Sequence, residues 1–159
     1  MPIDPTPRKH HARPPPPRIY AYALGLDMTR RDLQRAMGGK KKPWEIGKGF
    51  DLSAPIGPLH RVDQTGHFTQ GAIWLKVNGQ TKQNANLNQM IWSVAEPISK
   101  PSEAFELMPG DIIDSGTPEN VGPVVRGDVI LCHIDGLPEL SCEDRLIDPR
   151  PATPIPRFP

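Results

Sequence analysis

The chain has 159 residues, 19 Lys and Arg against 18 Asp and Glu, and a net charge of +1. That length suits one domain with a modest core, and so small a charge gives no electrostatic case for nucleic acid or an anionic membrane as partner. No apolar run approaches the ~18 residues of a membrane span, the first residues lack the apolar core of a signal peptide, and Cys132 and Cys142 show no metal or redox spacing, so reduced thiols and a cytoplasmic location are expected.

Of the 21 prolines, seven lie in residues 1–18 and six in residues 138–159. Residues 1–18 and 142–159 are therefore expected to be irregular, because proline removes a backbone donor and fixes φ. His10 and His11 fall in the first of these segments, which has little to hold a metal geometry. The folded domain is expected over residues 19–141.

Within it, "IYAYALGL" (19–26) alternates large and small residues. It reads as a strand with Tyr20, Tyr22, Leu24 and Leu26 on a core-facing side and Ala21, Ala23 and Gly25 on the other. Asp27 follows on the small-residue side. Thr29, with Asp32 three positions on, reads as the start of a helix. "GGKKKPW" (38–44) reads as a solvated basic loop. Asn78-Gly79, inside "GAIWLKVNGQTKQ", signals a tight hairpin between two strands. "GDIIDSGTP" (110–118) and "GDVILCHIDG" (127–136) read as short strands, each opened by Gly-Asp. Strands outweigh helices, so the expected fold class is a β-rich α+β domain, with a rolled or barrel-like sheet and helices at its edge.

Asp27, Arg31 and Gln34 are spaced by four and then three. On a helix this spacing stacks side chains on one face. Taken alone it favours a solvated i,i+4 Asp–Arg pair over a polar-ligand site beside a bare strand face. Lys48 lies between Gly47 and Gly49, which permit close backbone approach, and could reach an anionic or enolate oxygen or simply be a loop lysine. Thr117, in a Gly-Thr-Pro turn, could offer a hydroxyl to a carboxylate or serve turn chemistry alone.

Four ordered stretches, "YALGLDMTRRDLQ", "PWEIGKGFDLSAPIGP", "VNGQTKQNANLNQMIW" and "MPGDIIDSGTPENVGPVVRGDVI", together resemble the fumarylacetoacetate hydrolase family, closest to its bacterial fumarylpyruvate-cleaving branch in the gentisate route. The resemblance covers about residues 19–141, the C-terminal part of the family's catalytic domain. It implies hydrolysis of a carbon–carbon bond in acylpyruvates, fumarylpyruvate giving fumarate and pyruvate, with Mg²⁺ or Mn²⁺ as cofactor, in a cytoplasmic homodimer. It implies that Asp27 is a metal ligand, that Arg31, Gln34, Lys48 and Thr117 contact substrate, and that Lys48 also stabilises the developing oxyanion.

The family pattern also has a Glu-x-Glu pair on an earlier strand, and a histidine and glutamate that activate water. Here Asp4 is the only carboxylate before Asp27, the first glutamate is Glu45, and no Glu-x-Glu occurs. The expectation is an incomplete catalytic domain with impaired turnover, from a fragment or frame-disrupted copy whose two ends do not resemble the family. A non-catalytic binding or dimerisation module is the alternative, as is a decarboxylase, isomerase or hydratase of the same family. Pro97 and Pro101 are expected to stop a helix near Ala95. Asn120 stands where the family often has glycine, and asparagine tolerates a left-handed backbone.

Overall fold

The computed structural model describes residues 19–143; the expectations for residues 1–18 and 144–159 lie outside the described residues. Nine strands and helices follow in chain order: β1 (Ala21–Tyr22), α1 (Arg31–Gly38), β2 (His60–Arg61), α2 (Val62–Thr65), β3 (Ala72–Val77), β4 (Gln80–Asn86), α3 (Ala95–Ser99), β5 (Val129–Ile134) and β6 (Leu140–Glu143). β1 and β2 form a two-stranded sheet, and a four-stranded sheet has the order β4-β3-β5-β6. All pairings are antiparallel. The chain is therefore α+β with antiparallel sheets, and the described residues close no barrel.

The alternation read from residues 19–26 places the core. Leu24 and Leu26 are buried and cluster with Ile130, Cys132 and Leu137, while Tyr22 packs against that cluster. Ile130 and Cys132 come from one face of β5, so burying this strip joins the residue 22–26 segment to the larger sheet. Tyr20 departs from the expected face. It precedes β1 and is 69% exposed, with the Arg61 guanidinium 5.6 Å from its ring centre. Beyond β1 the segment continues pairing with residues 53–57. Leu26 N–H donates to Pro55 O at 2.9 Å, Met28 N–H to Ser53 O at 2.8 Å, and Gly57 N–H to Leu24 O at 2.8 Å.

The hairpin joins β3 to β4 through Asn78 and Gly79, at φ 51° and 78°, as a primed two-residue turn requires. Its register slips between Leu75 and Lys76: Leu75 faces Gln83, but Lys76 faces Thr81. β4 thus carries one extra residue, Lys82. Asn120 has φ 68°, the left-handed backbone expected of it.

Three local expectations are corrected. The first helix begins at Arg31 rather than Thr29, and its N-cap Arg30 makes no side-chain cap; the Thr29 hydroxyl is used elsewhere. Residues 110–118 form no strand, because no neighbouring strand pairs with them. The helix expected to end near Ala95 instead begins there and runs Ala95–Ser99 through Pro97. Pro97 is its third residue, where the missing N–H has no intrahelical acceptor in any case.

Candidate functional site

Asp27 is set just beyond the buried Leu24 and Leu26, and the backbone on each side of it is tied down by the bonds of Leu26 and Met28 to the facing segment. A second tether follows at Arg30, whose N–H donates to Gly47 O at 2.9 Å. That bond brings the 3-10 turn Glu45–Gly47 against the start of α1. Gly47 is buried there, and a Cβ on it would stand 2.9 Å from Gln34 Cβ and 3.0 Å from Gln34 N. Only glycine permits this approach, and its consequence is the position of the next residue, Lys48.

Lys48 Nζ donates to Asp27 Oδ1 at 2.8 Å and Oδ2 at 2.7 Å, and to Thr29 Oγ1 at 2.8 Å. All three ammonium protons thus have acceptors. The pair is partly open to solvent, at 38% exposure for Lys48 and 45% for Asp27. On α1, Arg31 Nη1 donates to Gln34 Oε1 at 2.6 Å. The i,i+4 pairing of Asp27 with Arg31 is corrected: Asp27 precedes the helix by four positions and pairs with Lys48. Arg31 and Gln34 do share a helix face, and the backbone and Cβ of Gln34 lie close to Gly47.

Thr117 lies on the irregular loop 110–124. Its hydroxyl accepts from Gln83 Nε2 at 3.3 Å, and among the described residues no hydrogen bond joins it to Asp27, Lys48, Arg31 or Gln34. The loop still approaches the same strand: Asp114 Oδ1 lies 3.8 Å from where a Cβ on Gly25 would stand. The bare strand face expected beside Asp27 therefore receives this loop. Sequence reading missed three side chains here. Thr29 was assigned to a helix cap, and the polar run "GQTKQNAN" gives no signal that Gln83 alone would be buried, at 8% exposure. Asp114 sits in what reads as a strand.

Residues 17–143 match the sequence model of the family described as "Fumarylacetoacetate (FAA) hydrolase C-terminal". The chain belongs to the fumarylacetoacetate hydrolase family. It is 48% identical over 126 residues to a fumarylpyruvate hydrolase from Ralstonia sp, covering 77% of this chain and 64% of that protein. It is 42% identical over 119 residues to a mitochondrial oxaloacetate decarboxylase from Dictyostelium discoideum, covering 75% of this chain and 55% of the relative. Among solved structures, fumarylpyruvate hydrolase from Pseudomonas aeruginosa in complex with Mn²⁺ and pyruvate superposes with a TM-score of 0.76 at 56% identity, over 78% of this chain and 53% of that one. The chain thus spans between about half and two thirds of the length of these family members.

The described residues do not by themselves fit a divalent-metal cage. Among them no three carboxylate, imidazole or thiol groups gather closely enough to hold an ion, and both oxygens of Asp27 already accept from Lys48. A small hard cation gives up its water only to several oxygen ligands. Among the described residues no helix is long and apolar enough to cross a membrane.

Proposed function

We propose that this chain carries part of a site for acylpyruvates, and that the family reaction it belongs to is hydrolysis of their carbon–carbon bond, fumarylpyruvate giving fumarate and pyruvate. The observation that carries the reading is the ammonium of Lys48 held against Asp27 and Thr29, in a stretch matched by fumarylpyruvate hydrolases. Water adds to the acyl carbonyl, the bond from that carbonyl to the methylene carbon breaks, and its electron pair stays on the pyruvate fragment as an enolate. A positioned ammonium stabilises that oxyanion when the oxyanion takes the place of one of its present acceptors. In this reading Lys48 is the catalytic group, Arg31 and Gln34 receive the polar end of the substrate, and the Thr117 hydroxyl donates to a carboxylate.

Asp27 is proposed as one oxygen ligand for Mg²⁺ or Mn²⁺. The described residues offer it no companion ligands. The same reading takes residues 19–141 as a partial catalytic domain with a rolled, barrel-like sheet. It also takes the working form to be a cytoplasmic homodimer, and turnover by this chain alone to be impaired.

The test is a titration of pyruvate and of acetylpyruvate into the chain, followed by amide chemical shifts. Saturable shifts at Lys48 and Thr117 that vanish in Lys48→Met are expected. Equal responses in the two proteins overturn the reading.

A second reading is decarboxylation or tautomerisation of oxaloacetate, favoured by the 42% identity to an oxaloacetate decarboxylase. It also passes through an enolate and would use Lys48 in the same way. Product analysis with oxaloacetate and fumarylpyruvate side by side separates the two.

A further inference from the structure

Gln83 is the buried polar residue of the described chain, and the family chemistry above leaves it without a task. Its side-chain nitrogen lies 2.7 Å from Pro118 O, 3.2 Å from Glu119 O and 3.3 Å from Thr117 Oγ1. Two of these acceptors are backbone carbonyls, which only the NH₂ end of the amide can face, so the network fixes which way the amide points. The three acceptors are consecutive residues of a loop with neither helix nor strand. They lie 34 to 36 positions from Gln83 in sequence.

The strand is shaped to aim this side chain. The register slip that leaves Lys82 as an extra residue falls immediately before Gln83. Bulges of this kind locally redirect a side chain and recur beside functional sites. β4 is an edge strand of the four-stranded sheet, so its outer side is open to receive the loop rather than another strand.

We propose that Gln83 is a positioning residue, which pins the Thr117–Glu119 turn to the edge of the sheet and thereby sets the direction of the Thr117 hydroxyl toward a 2-oxo-acid carboxylate. The pinning stands on geometry alone; the carboxylate rests on the functional reading above.

The test compares the 159-residue chain with Gln83→Met and Gln83→Glu. Methionine keeps the volume and removes the donor. Glutamate keeps the shape and sets an ionised oxygen against the two carbonyls. Backbone amide order parameters are read at Thr117, Glu119 and Asn120 against Val77, Ile130 and Cys132 of the sheet, and pyruvate is titrated with amide shifts as readout.

Both variants are expected to lower the order parameters of the loop from about 0.85 to below about 0.6, to leave those of the sheet unchanged, and to weaken the pyruvate response at Thr117 at least fivefold. Loop order parameters in Gln83→Met equal to those of the unsubstituted chain overturn the pinning. So does a fall of the same size throughout the sheet, which would mark general loosening. A loosened loop with an undiminished pyruvate response overturns the positioning role. Absence of any pyruvate response in the unsubstituted chain overturns the functional reading instead, and the order parameters then decide the pinning by themselves.

Discussion

Lys48 Nζ lies 2.7 and 2.8 Å from the two carboxylate oxygens of Asp27, a residue 21 positions earlier in the chain. The pair is more than a third exposed on both sides, so solvent screens it and its contribution to folding is about 0–1 kcal/mol. Lys48→Met should therefore leave the thermal midpoint almost unmoved while removing the pyruvate response. Melting curves at low and high salt, run beside the titration, check both halves. A large loss of stability would show that the pair holds the fold rather than serving a ligand.

The placement of Lys48 depends on Gly47. Gly47→Ala would put a methyl carbon within 2.9–3.1 Å of Gln34 Cβ, N and Cα, and a backbone neighbour of α1 cannot swing aside. Such overpacking costs about 1–3 kcal/mol, and relief by separating the turn from the helix would carry Lys48 away from Asp27. Gly122→Ala is the control, since nothing lies within 4 Å of its added carbon and its φ is not positive. Chemical denaturation should show a lower midpoint for the first variant and an unchanged one for the second.

How much of this was legible depends on the range of the interaction. The Asn78-Gly79 turn and the Arg31–Gln34 contact are local, and spacing alone finds them. The core strip of Leu24 and Leu26 follows from period-2 alternation, which needs only one buried face. The Asp27–Lys48 pair is tertiary, and spacing favoured the wrong partner, Arg31, because four residues look like one helical turn until the helix is known to begin at Arg31 itself. Residues 110–118 have the composition of a strand, but a strand also needs a neighbour with free donors and acceptors. Gln83 was hidden because a bulge, not the residue pattern, turns it inward.

Acid should weaken the fold through two aspartates at the sheet margins. Asp128 accepts from Val125 N–H at 2.8 Å and Asn78 Nδ2 at 2.7 Å, and these bonds hold its carboxyl below the ordinary 3.8. Asp135 is lowered likewise, first by the Ala72 N–H at 2.7 Å and then by His133. A carboxyl whose folded value is depressed contributes stability above its unfolded value, and that contribution is lost as pH falls through the lower native one. Denaturation midpoints should therefore drop below about pH 4. Asp128→Asn with Asp135→Asn should flatten that part of the profile.

Cys132 should be inert toward thiol reagents in the folded chain. Burial, and secondarily the neighbouring Cys142, push its thiol up to about 12, and the thiolate is the reactive form. Here the folded value is raised, so the associated stability is present below the unfolded value and declines as pH rises from about 9 toward 12. Timed alkylation at pH 8, resolved by peptide mass, should label Cys132 only as fast as the chain unfolds.

The 159-residue chain supplied with Mg²⁺ or Mn²⁺ should hydrolyse fumarylpyruvate no faster than the uncatalysed rate. The described residues gather no three metal-ligating side chains, and the carboxylate best placed to begin a cage is bound through both oxygens to Lys48. An ion arriving at Asp27 must displace that ammonium, and the described residues offer it no further ligands, which makes binding by them weak. Attack by water further needs a positioned base, worth about 10²–10⁴-fold in rate. Lys48 alone cannot fill both needs, because the charge that steadies an enolate also prevents it from accepting a proton. The diketo absorbance, followed over time at several chain concentrations, checks this. Loss that scales with the chain and disappears in Asp27→Ala would show that the residues outside 19–143, or a second copy, complete the site.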